Sequence, residues 1–149
     1  MATTSTHASE LVDLSARLRL AIARTARRLR QEAGTDLSPS LSSALATIER
    51  RGPLTPSELA EAERVRRPTA TRVVARLEDA GLVERASDPS DGRISLVNAS
   101  ADGRALLRRM RSRKDAYLSR RLRDLEPKEV AALERATEVL ERMLEGERS

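Results

Sequence analysis

Cysteine is absent from this 149-residue chain, which rules out disulfides, thiolate metal ligation, a cysteine nucleophile and a thiol redox sensor. Phenylalanine and tryptophan are absent too, and Tyr117 is the single aromatic residue. Unpaired bases therefore have no platform on which to stack, and single-stranded nucleic acid is a poor candidate ligand. Histidine occurs once, at His7, in an N-terminal segment expected to be mobile. One histidine allows no His-bearing triad and no histidine metal pair, and no glycine-rich phosphate loop is present. The paired carboxylates Asp88 and Asp91 read as turn formers rather than as a general acid and base. The chain is thus not expected to be an enzyme, and neither a cofactor nor a metal is expected. No apolar run approaches the roughly 20 residues that a spanning helix needs, and the first residues lack the basic-then-apolar order of a signal peptide. The expected location is the cytoplasm, with no membrane partner.

Charge is what the chain has in quantity. Lysine and arginine total 28 against 23 acids, a net charge of +5, and only Lys114 and Lys128 are lysines. A composition rich in Ala and Arg and poor in Lys is what GC-rich coding produces throughout a protein, so the arginine count alone carries no function. A basic excess acquires meaning only where it is clustered.

Leu11, Leu14, Leu18, Ile22 and Leu29 recur at three- and four-residue steps, one stripe of a long first helix ending near Gly34. Ser38 followed by Pro39 signals a second helix to about Arg51, closed by Gly52-Pro53. Thr55-Pro56-Ser57-Glu58 is a capping box that opens a short third helix to about Glu63. A fourth helix is predicted from Pro68 to about Ala80, ended by Gly81. Two short helices joined by Arg64 to Arg67 form a helix-turn-helix pattern.

Beyond Gly81 the period changes to that of strands, over Leu82–Arg85 and Ile94–Val97, with the turn formers Asp88-Pro89-Ser90-Asp91-Gly92 between them. This predicts a hairpin wing. Ser100 caps a fifth helix carrying Leu106, Leu107, Met110, Tyr117 and Leu118. A last helix from about Pro127 shows Val130, Leu133, Thr137, Leu140 and Leu144 at near-heptad spacing. The fold class is mainly α with a small β-hairpin wing: a winged helix-turn-helix over 37–100 and a helical dimerisation region over 1–36 and 101–149. Apolar stripes on the first and last helices have too few partners within one chain, which points to a homodimer; the alternative is that the two helices pack on each other.

On the fourth helix Ala70, Val73, Val74 and Leu77 form the inward set, and Thr69, Arg72 and Arg76 face outward. Five arginines and no acid lie between Arg64 and Arg76, so the charge is clustered on the element expected to enter DNA. A helix fits the major groove, an arginine can donate two bonds to guanine O6 and N7, and a threonine can meet a base edge or a thymine methyl. Arg72 and Arg76 are the candidate base readers, within a DNA-binding set of Arg67, Pro68, Thr69, Thr71, Arg72 and Arg76.

The segment Ser57–Arg104 resembles the MarR family of transcriptional regulators. The resemblance rests on Glu58-Leu59-Ala60, on the run from Arg67 to Arg85, and on Asp88-Pro89-Ser90-Asp91-Gly92-Arg93 followed by Ser100-Ala101-Asp102-Gly103-Arg104. It implies a triangular dimer, a winged reading head in each subunit, and release from DNA by a small anionic or aromatic effector, whose binding residues are unknown. It also implies that Arg93 is the wing arginine that reaches the minor groove or its phosphates. Asp91 would orient the wing through an ion pair, since as a direct contact it would repel phosphate. Four positions depart from the family pattern. Arg64 stands where glycine is common in the turn, Glu63 where an apolar residue is common, Arg66 in place of a capping serine, and Gly92 in place of a wing arginine. A less well capped recognition helix and fewer phosphate contacts from the wing are expected. The resulting expectation is a sequence-specific regulator of double-stranded DNA, a repressor on a pseudo-palindromic operator. The alternative is a winged-helix module that binds another protein.

Overall fold

The computed structural model describes residues 2–146, with side chains from residue 6 onward. Six helices and one hairpin follow in the order α1 (Ala2–Glu32), α2 (Pro39–Arg51), α3 (Pro56–Glu63), α4 (Arg67–Asp79), β1 (Val83–Ser87), β2 (Ser95–Ala99), α5 (Ala101–Arg123) and α6 (Pro127–Glu145). The starts of three helices are written in their caps. The Ser38 hydroxyl accepts from the Leu41 amide, and Thr55 and Glu58 satisfy each other's backbone N–H groups in a complete capping box. The buried Ser100 hydroxyl accepts from the Gly103 amide at 3.0 Å and donates to the Gly81 carbonyl at 2.6 Å. The same residue therefore caps α5 and ties it to the end of α4.

A single core sits where α2, α3, α4 and the hairpin meet. Leu45 and Ile48 of α2, Leu59 of α3, Val74 and Leu77 of α4 and Val97 of β2 are its fully buried members. Leu82, Val83, Leu107 and Met110 close it from the wing and from α5. The strands pair antiparallel, with Val83 opposite Ala99 and Ser87 opposite Ser95. Leu54, just before α3, exchanges both backbone hydrogen bonds with Val97, which anchors the wing to the helix-turn-helix.

Several sequence expectations shift. The strands start and end one or two residues later than predicted, because the Leu82 amide still donates to Leu77 O and the Ile94 amide to Asp91 O. Both residues remain in turns. Helix α4 begins at Arg67, so Pro68 occupies the second helical position. Val73, expected inward, is only half-buried. His7, expected in a mobile segment, lies within α1, exposed and 3.6 Å from the Glu10 carboxylate.

The end of α1 docks on α5. Ala33 is buried, and the Arg113 guanidinium donates to Gly34 O at 3.1 Å. The remaining helical surface is wet. Leu11, Leu14, Leu18 and Ile22 of α1 are exposed, as are Val130, Leu133, Met143 and Leu144 of α6, and no described residue of α6 is buried. The two helices do not cover each other's apolar stripes within one chain.

Candidate nucleic-acid interface

Helix α4 is seated on the core through Ala70, Val74 and Leu77, and its opposite side faces solvent. Arg67, Pro68, Thr71, Arg72 and Arg76 are all exposed, and Thr69 is half-buried beside Val73. The Thr71 hydroxyl donates to Arg67 O at 3.0 Å, so its proton is used within the helix and its methyl and lone pairs are what it can offer a ligand. Arg66, the N-cap, makes no side-chain hydrogen bond to the helix start. Pro68 has no amide and the Thr69 amide donates to Arg66 O at 3.0 Å, so among the first three residues of α4 only Arg67 keeps an amide for another acceptor.

The turn before α4 keeps a glycine-like shape without glycine. Arg64 adopts φ 53° and ψ 44°, the left-handed region, and its amide returns to Glu61 O. Glu63 turns inward, accepting hydrogen bonds from the Ser43 hydroxyl at 2.7 Å and from the buried Thr47 hydroxyl at 2.5 Å. The acid at a normally apolar position is thereby matched by two hydroxyls on α2.

Two further acids are engaged by arginines outside α4. Glu78 accepts from Arg85 Nε of β1 at 3.1 Å, across the turn made by Gly81 at φ 73°. In the wing, Asp91 accepts from the Arg93 amide and from its Nε, both at 3.1 Å. The Arg93 guanidinium bonded to Asp91 holds that carboxyl below the usual aspartate range. Asp88 is lowered as well, first by the Ser90 hydroxyl and then by backbone amides of the turn. The Arg93 side chain remains 92% exposed despite its pairing, so its unused N–H groups project from the wing. Sequence reasoning missed the Glu78–Arg85 link; the seven-residue separation across a glycine turn is the signal that carried it.

Arg17, Arg24 and Tyr117, groups with the chemistry to meet an anionic or aromatic effector, are not brought together. Arg17 and Arg24 line a shallow depression along α1. Tyr117 instead lies at the contact of α1 with α5, its ring between the guanidiniums of Arg28 and Arg121, at 5.4 and 5.6 Å from the ring centroid. Hydrogen bonding to Arg121, then to Arg28, lowers the phenol from its usual value.

Residues 37–95 match the family model described as MarR family. The chain is 40% identical over 128 residues to an uncharacterised HTH-type transcriptional regulator, Mb0904, of Mycobacterium bovis, spanning 85% of this chain and 90% of that one. This chain belongs to the MarR family. Among solved structures it is similar to a protein assigned as a transcriptional regulator from Pseudomonas aeruginosa PA01, with a TM-score of 0.81 and 36% identity, covering 89% of this chain and 94% of the other. It shares its fold with a single-residue mutant of MepR from S. aureus, solved bound to an oligodeoxyribonucleotide (TM-score 0.67, 21% identity, 89% and 96% covered). The MarR-family chain is thus a DNA-binding helix-turn-helix transcriptional regulator, in a family of regulators and not of enzymes. No helix among the described residues is long and apolar enough to cross a membrane.

Proposed function

We propose that this MarR regulator is a homodimeric repressor that places two α4 helices in successive major grooves of a pseudo-palindromic operator, about 34–36 Å apart. The observation that carries the proposal is the solvent-facing basic stripe of α4, with Arg72 and Arg76 exposed while neighbouring Glu63 and Glu78 are bonded elsewhere. Arg72 and Arg76 are assigned to guanine edges, and Thr69 and Thr71 to base edges or methyls. Arg67 is assigned to phosphate near Pro68 at the helix start. Arg93 supplies the wing contact and Asp91 fixes its direction. The MepR mutant solved bound to an oligodeoxyribonucleotide supports DNA as a ligand for this fold.

The helical regions 1–36 and 101–149 serve as the dimerisation region, and 37–100 as the reading head. The wet apolar stripes of α1 and α6 support this division, since a twofold partner can bury both. Release from DNA follows when a small anionic or aromatic effector binds one spacing of the two heads better than the other. Repression then consists of occluding a promoter in the cytoplasm.

The test is binding of the purified protein to a fragment from upstream of its own gene, at physiological salt. Arg72→Ala should weaken binding by about 1–3 kcal/mol and relax the preference for one base pair, while Arg93→Ala should weaken all sequences alike and reduce the salt slope by about 1. If both variants bind as the parent does, the contact assignment is wrong. A salt-insensitive interaction of the parent with another protein would favour the protein-binding alternative.

A further inference from the structure

Arg72, Arg76 and Asp79 recur at four- and three-residue steps, so the stripe assigned to the bases ends on a carboxylate. Arg72, Arg76 and Asp79 also line one groove of about 510 Å³, together with Ser38 and Ser40 of α2. Asp79 is the last residue of α4 and is exposed. Its charge there is opposed twice over. The carboxyl end of a helix carries partial negative charge, and DNA phosphates repel an anion. The adjacent Glu78 is offset by Arg85 at 3.1 Å, whereas Asp79 has no ion pair or side-chain hydrogen bond among the described residues. Arg76, three residues earlier on the same stripe, offsets part of this charge, but no ion pair or side-chain hydrogen bond among the described residues engages the carboxylate, so its oxygens are available to a ligand.

We propose that Asp79 is a specificity-determining residue that accepts a hydrogen bond from the N4 amino group of a cytosine in the major groove. This rests on the reading of α4 as the groove helix. A carboxylate can only accept, so it suits cytosine N4 and is repelled by the O6 and N7 acceptors of guanine. Arg76 has the complementary chemistry, donating to those two acceptors. Three residues of helix rise about 4.5 Å, a little more than one base-pair step of about 3.4 Å. Arg76 and Asp79 can therefore read guanine and cytosine of the same or neighbouring pairs. The cost of the carboxylate near phosphate makes it a filter: it weakens binding to every sequence that lacks the amino group in register.

The experiment selects operators from a random duplex library with the full-length protein, its Asp79→Ala and Asp79→Asn variants, and Arg76→Ala in parallel. The parent should enrich a C·G pair at a position where Asp79→Ala discriminates about 5- to 150-fold less. Asp79→Ala should also bind unrelated DNA more tightly. Asp79→Asn should move the preference at that position toward A·T, because asparagine pairs with adenine N6 and N7. If both Asp79 variants enrich the parent's motif unchanged while Arg76→Ala does not, the role of Asp79 is overturned and the groove reading stands. If the parent enriches no sequence, or Arg76→Ala changes nothing, the groove reading itself fails and the role of Asp79 with it.

Discussion

Arg111 on α5 donates to both carboxylate oxygens of Glu49 on α2, at 2.7 and 3.3 Å. The two residues stand 62 positions apart, and their fork joins the reading head to the helix that continues toward α6. A bidentate guanidinium–carboxylate pair fixes angle as well as distance, so it limits how far the head can swivel on α5.

That pair gives a pH-dependent prediction. The Arg111 hydrogen bonds hold the Glu49 carboxyl below its usual range. Above the ordinary glutamate value near 4.3 the carboxyl is ionised in folded and unfolded chains alike, and the contribution of the pair is complete. As pH falls below that value the unfolded chain takes up its proton first, and the contribution is lost once the lowered folded value is passed. Arg111→Met, which keeps the stem, should be less stable than the parent by up to about 1 kcal/mol at pH 7. In urea unfolding the difference should stay level down to about pH 5 and shrink below about pH 4.

Gly103→Ala should destabilise the junction of α5 with the wing. A Cβ there would collide with the Leu82 carbonyl oxygen and sit 3.3 Å from Leu45 Cδ1. Backbone on one side and core on the other leave it nowhere to go, and overpacking of this kind costs about 1–3 kcal/mol. Thermal unfolding should show a fall of several degrees in Tm.

Glu63→Ala should cost about 1–3 kcal/mol, because it strips the buried Thr47 hydroxyl of its acceptor. Glu63→Leu combined with Thr47→Val should recover most of that loss. A double-mutant cycle that instead shows simple additivity would mean the two residues are not coupled.

Wing orientation can be separated from wing contact. Asp91→Ala leaves the Arg93 charge in place but removes three acceptor contacts that shape the turn. Its affinity for the operator should fall while its salt slope stays close to that of the parent. Arg93→Ala should lower both.

Helix α6 offers a test of assembly. Leu133→Glu puts a charge in the middle of its exposed apolar stripe and should shift a twofold dimer toward monomer in sedimentation, with DNA affinity falling in step.

What is legible in the sequence is local. Ser38, Thr55 and Ser100 each mark a helix start because the cap and its partner amide lie within three residues, and Gly81 marks the end of α4 for the same reason. The recognition face is legible because its period is a property of the helix itself. The strand ends slip because Leu82 and Ile94 are still engaged in turn hydrogen bonds, to Leu77 O and Asp91 O, that the alternation of side chains does not encode. Val73 departs from expectation because the groove beside it, lined by Ser40 and Ser43 of α2, is shallow. The inward turn of Glu63 is invisible in the sequence, since its two hydroxyl partners lie 16 and 20 residues away.

Tyr117 has a use that follows from its isolation. With no tryptophan in the chain, near-ultraviolet absorbance and emission come from this one phenol, which sits between Arg28 of α1 and Arg121 of α5. The protein therefore carries a label-free spectroscopic gauge at the contact between its first helix and α5. Phenolate absorbance recorded during an alkaline titration should rise earlier than in a tyrosine peptide while the two helices stay docked. Any operator or effector that parts them would return the titration curve to the peptide's.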